Sequence, residues 1–196
     1  MPDALRLLPQ SLIAPRSEGL SADEIHAALA QAIAPIKAQL RKVLLLPPDY
    51  TRLHANAGLI TQMLYSMLQP ACQVDIMPAL GTHVPVSQSE WQQMFGVIPY
   101  ERMLVHNWRT EVEKIGEVPA SYVSEISEGL VNHKIPVEVN RRLLDKSYDL
   151  ILSIGQVVPH EVVGMANQSK NVFVGCGGSQ MINSSHMLGA FYGMER

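Results

Sequence analysis

No stretch of roughly eighteen consecutive apolar residues occurs in this chain, so the sequence offers no helix able to span a bilayer. The amino terminus lacks the basic-then-apolar pattern of a secretory signal, and the expected address is the cytoplasm, away from membranes. Basic residues are in deficit: 15 Lys and Arg against 18 Asp and Glu give a formal net charge of −3 and a pI near 6.1. That balance supplies no cationic face for a phosphate backbone and argues against a nucleic-acid partner. There are only two cysteines, Cys72 and Cys176, about a hundred residues apart and outside any CxxC pattern. A disulfide framework or zinc knuckle is therefore not expected, and both residues read as buried or half-buried thiols. Gly175-Cys-Gly-Gly178 lacks the spacing of a dinucleotide fingerprint, no Walker motif occurs, and there is no repeat or low-complexity segment.

What is present is material for a core. A chain of 196 residues can bury about 70% of its unfolded surface. Its 47% hydrophobic content, with 17% charged and 6% aromatic residues, suits a buried sheet covered by helices. Residues 1–20, with three prolines and no sustained period, read as an irregular lead-in, and residues 21–196 as one α/β domain. Ser21 and Glu24 form a capping box, and Ile25, Leu29, Ile33, Ile36 and Leu40 follow at helical spacing, predicting a helix over 22–40. Val43–Leu46 is a continuous apolar run, as in a strand buried on both faces. Leu59, Ile60, Met63, Leu64, Met67 and Leu68 mark a second helix ended by Pro70, and 73–77 a second strand. Ser87 and Glu90 form another capping box; 102–105 and 112–118 read as short strands, with a turn at Gly116. A mixed stretch at 137–144 precedes a strong buried strand at 149–154, the glycines at 175–178 read as a flexible turn, and a helix starts near 181.

Alternation of strands and helices implies a Rossmann-like, three-layer α/β fold with a mainly parallel sheet. In such folds ligands sit beyond the carboxyl ends of the strands. Three polar loops, 49–52, 81–83 and 156–160, leave strands at that edge and are expected to converge. They carry groups suited to chemistry on a small anionic substrate. Arg52 offers a planar fork of donors for a carboxylate, with Asp49 placed to orient it. His83 and His160 are acid/base candidates, because imidazole exchanges protons near neutral pH. Lys170 is an amine able to hold a covalent cofactor, and His186 an imidazole able to ligate nickel or zinc. His26, His54, His106 and His133 read as structural or surface residues, and the methionines as core filler.

The order Asp49-Tyr-Thr-Arg52, Gly81-Thr-His83, Pro159-His160, Lys170 and His186 resembles the amino-terminal domain of the nickel-pincer lactate racemases, over about residues 40–190. The ungapped spacing of His160, Lys170 and His186 is the most specific part, and Asn140-Arg141 and Gly155 agree. Met165-Ala-Asn-Gln-Ser169 stands where family members carry a Ser-Gly-Gly stretch. The resemblance implies a 2-hydroxy-acid racemase or epimerase that moves the carbon-bound hydrogen as hydride to a nickel pincer nucleotide. It implies Lys170 as the covalent tether, His186 as a nickel ligand, His83 and His160 as paired acid/base groups, and Arg52, with Asp49 nearby, as the substrate-carboxylate site. It also implies a carboxyl-terminal domain, absent from these residues, as partner, and hence an inactive isolated domain. Two other readings stay open: a hydroxy-acid or sugar-acid oxidoreductase with another cofactor, and a non-catalytic homologue that binds an anionic metabolite. The particular acid and the oligomeric state are left open.

Overall fold

Val43, Leu44, Leu45 and Leu46 have no exposed surface, and the fold is built around them. The computed structural model describes residues 6–160 and 162–193; the first five residues of the expected lead-in and the last three of the chain lie outside the described residues. The chain runs through α1 (Ala22–Ile33), β1 (Lys42–Leu46), α2 (Ala57–Leu68), β2 (Gln73–Ile76) and α3 (Gln88–Phe95). It continues through β3 (Val112–Val118), α4 (Ala120–Ile126), β4 (Ile135–Asn140) and β5 (Leu150–Ser153). A small hairpin of β6 (Pro159–His160) and β7 (Gly164–Met165) precedes α5 (Ser179–Tyr192).

β1 is the middle strand of a parallel sheet ordered β2-β1-β5, with Val43 level with Val74 on one side and Leu150 on the other. Its side chains alternate between two cores. Val43 and Leu45 join Ile33, Leu64, Leu68, Val74, Trp91 and Phe95 beneath α1, α2 and α3. Leu44 and Leu46 join Met77, Ala79, Tyr148 and Cys176 on the other face. Burial on both faces is why the run shows no polar alternation; each such side chain contributes about 2 kcal/mol. The second face is covered by Tyr148, Leu104, Leu143 and the segment around Cys176. An antiparallel pair, β3 with β4, packs with α4 and α5 around Val123, Val131 and Ile135.

Both capping boxes form, Ser21 with Glu24 and Ser87 with Glu90. The expected helix over 22–40 instead ends at Ile33: Ala34 keeps helical backbone and donates to the Ala30 carbonyl, but Pro35 has no N–H to continue the ladder to Gln31, and the chain resumes as a 3-10 turn, Lys37–Gln39. The strand expected at 102–105 reduces to a single parallel bridge between Ile76 and Met103. Gly116 marks a register shift inside β3, not its end. The mixed stretch at 137–144 divides into β4 and a 3-10 turn, Arg141–Leu144. No helix among the described residues is long and apolar enough to cross a membrane.

Candidate active site

The carboxyl ends of the parallel strands open into one cleft of about 360 Å³. The ladder between β1 and β2 is prolonged by a bridge from Pro48 to Ala79, which sets the Asp49 and His83 loops side by side. His160 arrives on the hairpin after β5, Lys170 on the turn beyond it, and His186 on α5. Asp49, Arg52, His83, His160, Lys170 and His186 all line this cleft.

Two backbone features bring these segments together. Gly81 has φ +57, a left-handed conformation that lets the β2 loop turn so that its N–H donates to the Gly175 carbonyl at 2.8 Å. Gly175 ends a short π-helical turn, Asn171–Gly175, and packs so closely that a Cβ there would lie 2.6 Å from that of Ala79. The glycines at 175–178 are thus buried packing positions rather than a flexible turn.

Asp49 is 6% exposed, and both its oxygens are used. Oδ2 accepts a hydrogen bond from His83 Nδ1 at 2.5 Å, and Oδ1 accepts one from the Thr51 hydroxyl. Asp49 was expected to orient Arg52; its carboxylate hydrogen-bonds His83 and Thr51 instead. The reason is tertiary: strand pairing aligns position 49 with the β2 loop, whereas Arg52 lies further along the 3-10 turn Tyr50–Ala55. With Nδ1–H committed to Asp49, the neutral His83 ring carries its lone pair on Nε2. His83 keeps 59% of its side chain exposed at the cleft mouth.

His160 has the opposite arrangement. Its Nδ1 accepts from the backbone N–H groups of Val162 at 3.2 Å and Val163 at 3.4 Å, so the neutral ring holds its proton on Nε2. In His186, Nδ1 donates to the Ile182 carbonyl at 2.7 Å, leaving the Nε2 lone pair. The rings of His160 and His186 meet edge to face with centroids 6.5 Å apart.

Lys170 is half-buried, and burial holds its amine below the ordinary value of 10.5; the neighbouring charge of Arg52 pushes it the same way. The Arg52 side chain has no hydrogen-bond or ion-pair partner among the described residues, which leaves its guanidinium donors for a ligand. Sequence reasoning missed the supports behind Lys170. Asn171 is buried and donates to Asn167 Oδ1 at 3.0 Å and Ser153 Oγ at 3.2 Å, while Asn167 donates to the Gly155 carbonyl at 2.8 Å. Asn167 adopts φ +60, a conformation asparagine tolerates better than most residues. The only trace of this in the sequence is the Asn167/Asn171 pair flanking Lys170.

His106, read as a structural or surface residue, is structural: it is 2% exposed, donates through Nε2 to the Gly177 carbonyl at 3.0 Å and accepts at Nδ1 from the Asn140 amide at 2.9 Å. It anchors the turn that leads into α5. Burial lowers its pKa from the ordinary 6.5, so on acidification the unfolded chain takes up this proton first. The stabilisation it carries is complete above about pH 6.5 and is lost as pH falls below that value. Thermal unfolding followed from pH 7.5 to 5.5 is expected to show a shallower decline in His106→Gln than in the unsubstituted chain; equal slopes would assign the acid sensitivity elsewhere.

Fold and site together define an α/β domain in which three histidines, the unpaired side chain of Arg52 and a half-buried lysine gather at the carboxyl edge of a parallel sheet. The model of the lactate racemase N-terminal domain matches residues 6–194, and the chain belongs to that family. No curated protein matches it. A crystal structure of a Thermotoga maritima protein is similar at 27% identity and a TM-score of 0.76, over 89% of this chain and 42% of that one. The lactate racemase apoprotein from Thermoanaerobacterium thermosaccharolyticum shares the fold, with a TM-score of 0.63 and 20% identity over 82% of this chain and 38% of that one. The chain thus spans about two fifths of the length of these structures.

Proposed function

We propose that this domain supplies the proton-handling, substrate-carboxylate and cofactor-tethering side of a cytoplasmic 2-hydroxy-acid racemase or epimerase, completed by a carboxyl-terminal domain. The observation that carries this reading is the convergence of Arg52, His83, His160, Lys170 and His186, from segments far apart in the chain, on one cleft.

The residues fit a nickel pincer nucleotide. Lys170 is a half-buried amine with lowered basicity, as a covalent attachment needs, and His186 has an Nε2 lone pair fixed by its Nδ1 bond to Ile182. Among the described residues no group of three or more His, Cys, Asp or Glu side chains is placed to hold a metal ion. His186 would then act as a single protein ligand, with the cofactor's own donors completing the coordination. When bound, the nucleotide supplies a hydride acceptor for the hydrogen on the substrate carbon, which is far too weakly acidic for a histidine to remove.

The chain's own residues do the rest. Arg52 holds the substrate carboxylate through its unpaired guanidinium. His83 Nε2 takes the hydroxyl proton, and Asp49 stabilises the imidazolium that results. His160, with Nε2 protonated, donates a hydrogen bond to the substrate oxygen from its own side of the cleft. To accept a proton from the opposite enantiomer at Nδ1, its ring must release the Val162 and Val163 amides. The two histidines are therefore inequivalent at rest.

The test is chemical rather than kinetic. Protein from a cofactor-producing host is digested and its mass spectrum read, alongside nickel content. A covalent increment on the Lys170 peptide, absent in Lys170→Ala, together with nickel lost in His186→Ala, is expected. An unmodified Lys170 in a nickel-containing preparation would contradict the tether.

A further inference from the structure

His83 and Thr82 also line a second cavity, of about 470 Å³, which adjoins the cleft through these two shared residues. Its other walls come from Val84-Pro85 and from the segment 105–110, which follows the bridge between Ile76 and Met103. Among the described residues no acidic side chain lines it, and its one permanent cation is Arg109. The Arg109 guanidinium carbon sits 3.5 Å from the centroid of the half-buried Trp108 ring. A stacked guanidinium keeps its N–H edges directed outward, in the plane that suits an anionic group. Among the described residues Arg109 has no hydrogen-bond or ion-pair partner to occupy them. Stacking also limits the rotamer freedom of a long, exposed side chain, so less is lost when a ligand orders it.

A hydroxy acid whose side chain is a single methyl group would fit within the first cleft, leaving the second to water and Arg109 unpaired. We infer that the cavity receives the part of the substrate beyond its hydroxyl-bearing carbon and that Arg109 binds a second, distal anionic group there. The substrate class is then a 2-hydroxy acid with two acidic ends. The inference rests on the proposed roles of Arg52 and His83, since these place the reacting end. Neutral hydroxyls of a sugar acid could be met by Thr82, Asn107 and Thr110. Such a ligand leaves the oriented guanidinium without a counter-charge.

Binding can be read on this chain without cofactor. Trp91 is 1% exposed in the core, so ligand-dependent change in tryptophan fluorescence reports on Trp108. The probes are 2-hydroxyglutarate, 2-hydroxypentanoate, which has the same carbon count without the distal carboxylate, and gluconate. The dicarboxylate is expected to bind about tenfold more tightly than 2-hydroxypentanoate, a ratio typical of one charge-assisted contact. Arg109→Gln is expected to erase this preference, and Trp108→Leu to reduce it when followed by calorimetry; Arg52→Gln is expected to weaken both hydroxy acids alike. Equal affinity for the two acids, with both weakened by Arg52→Gln, overturns the distal-anion site and leaves the proposed function standing. Tighter binding of gluconate than of 2-hydroxyglutarate overturns it in favour of a sugar acid. Binding that is insensitive to Arg52→Gln, or absent for every probe, overturns both the site and the reading beneath it.

Discussion

His83→Gln is expected to lower interconversion of 2-hydroxy-acid enantiomers roughly 10³-fold, the scale of a lost general base. Glutamine keeps a polar side chain of similar reach but has no proton-accepting nitrogen, so binding through Arg52 survives while the hydroxyl proton has nowhere to go. Asp49→Asn tests the layer behind it. An asparagine cannot stabilise an imidazolium through Nδ1, and it can present an amide that favours the other tautomer. Its expected signature is a large fall in kcat with little change in KM, and a shifted pH profile, whereas loss of a substrate-binding carboxylate would move KM first. The measurement is chiral chromatography of the product in cofactor-loaded enzyme containing this domain, with the Lys170 adduct quantified in parallel. Full activity in His83→Gln at normal loading would remove the proton-transfer role.

Gly175→Val is expected to destabilise the domain by about 3 kcal/mol, at the upper end of overpacking costs. A Cβ at this position lies 2.6 Å from Ala79 Cβ and 3.3 Å from the Ala79 carbonyl oxygen. A branched side chain can only be accommodated by moving the β2 loop away from the π-helical turn. That movement breaks the Gly81-to-Gly175 hydrogen bond and separates His83 from Lys170. Urea unfolding measures the loss. A conservative control is Gly116→Ala, at a bulge where a Cβ meets nothing within 4 Å and little change is expected. A Gly175→Val variant as stable as the unsubstituted chain would mean that the contact relaxes without strain.

Much of the scaffold was legible from local rules. The Val43–Leu46 run, the two capping boxes and the strand near 150 each announce themselves within a few residues, because caps and hydrophobic periods are short-range effects. The errors also have local causes. Pro35 stopped a helix that its apolar spacing alone would have continued to Leu40. The segment at 102–105 had strand-like residues but found only one bridge, since strand formation depends on a partner edge as much as on propensity.

The convergence of loops 49–52, 81–83 and 156–160 was readable as a rule of parallel sheets, and with it the residue types available to the site. Their pairing was not. Asp49 lies three residues from Arg52 and thirty-four from His83, yet it bonds to His83, because the β1–β2 ladder sets the loops side by side. The tautomer of His83 follows from that carboxylate, whereas those of His160 and His186 are set by near neighbours in the chain, the Val162 and Val163 amides and the Ile182 carbonyl, once the hairpin and α5 have formed. Arg109 carried no motif and became informative only when its stacking on Trp108 and its neighbourhood to His83 were seen. Hydrophobic pattern and chain geometry act locally and so can be read along the chain; the Asp49–His83 contact, and with it the proton position of His83, depends on groups that only the packed sheet brings together.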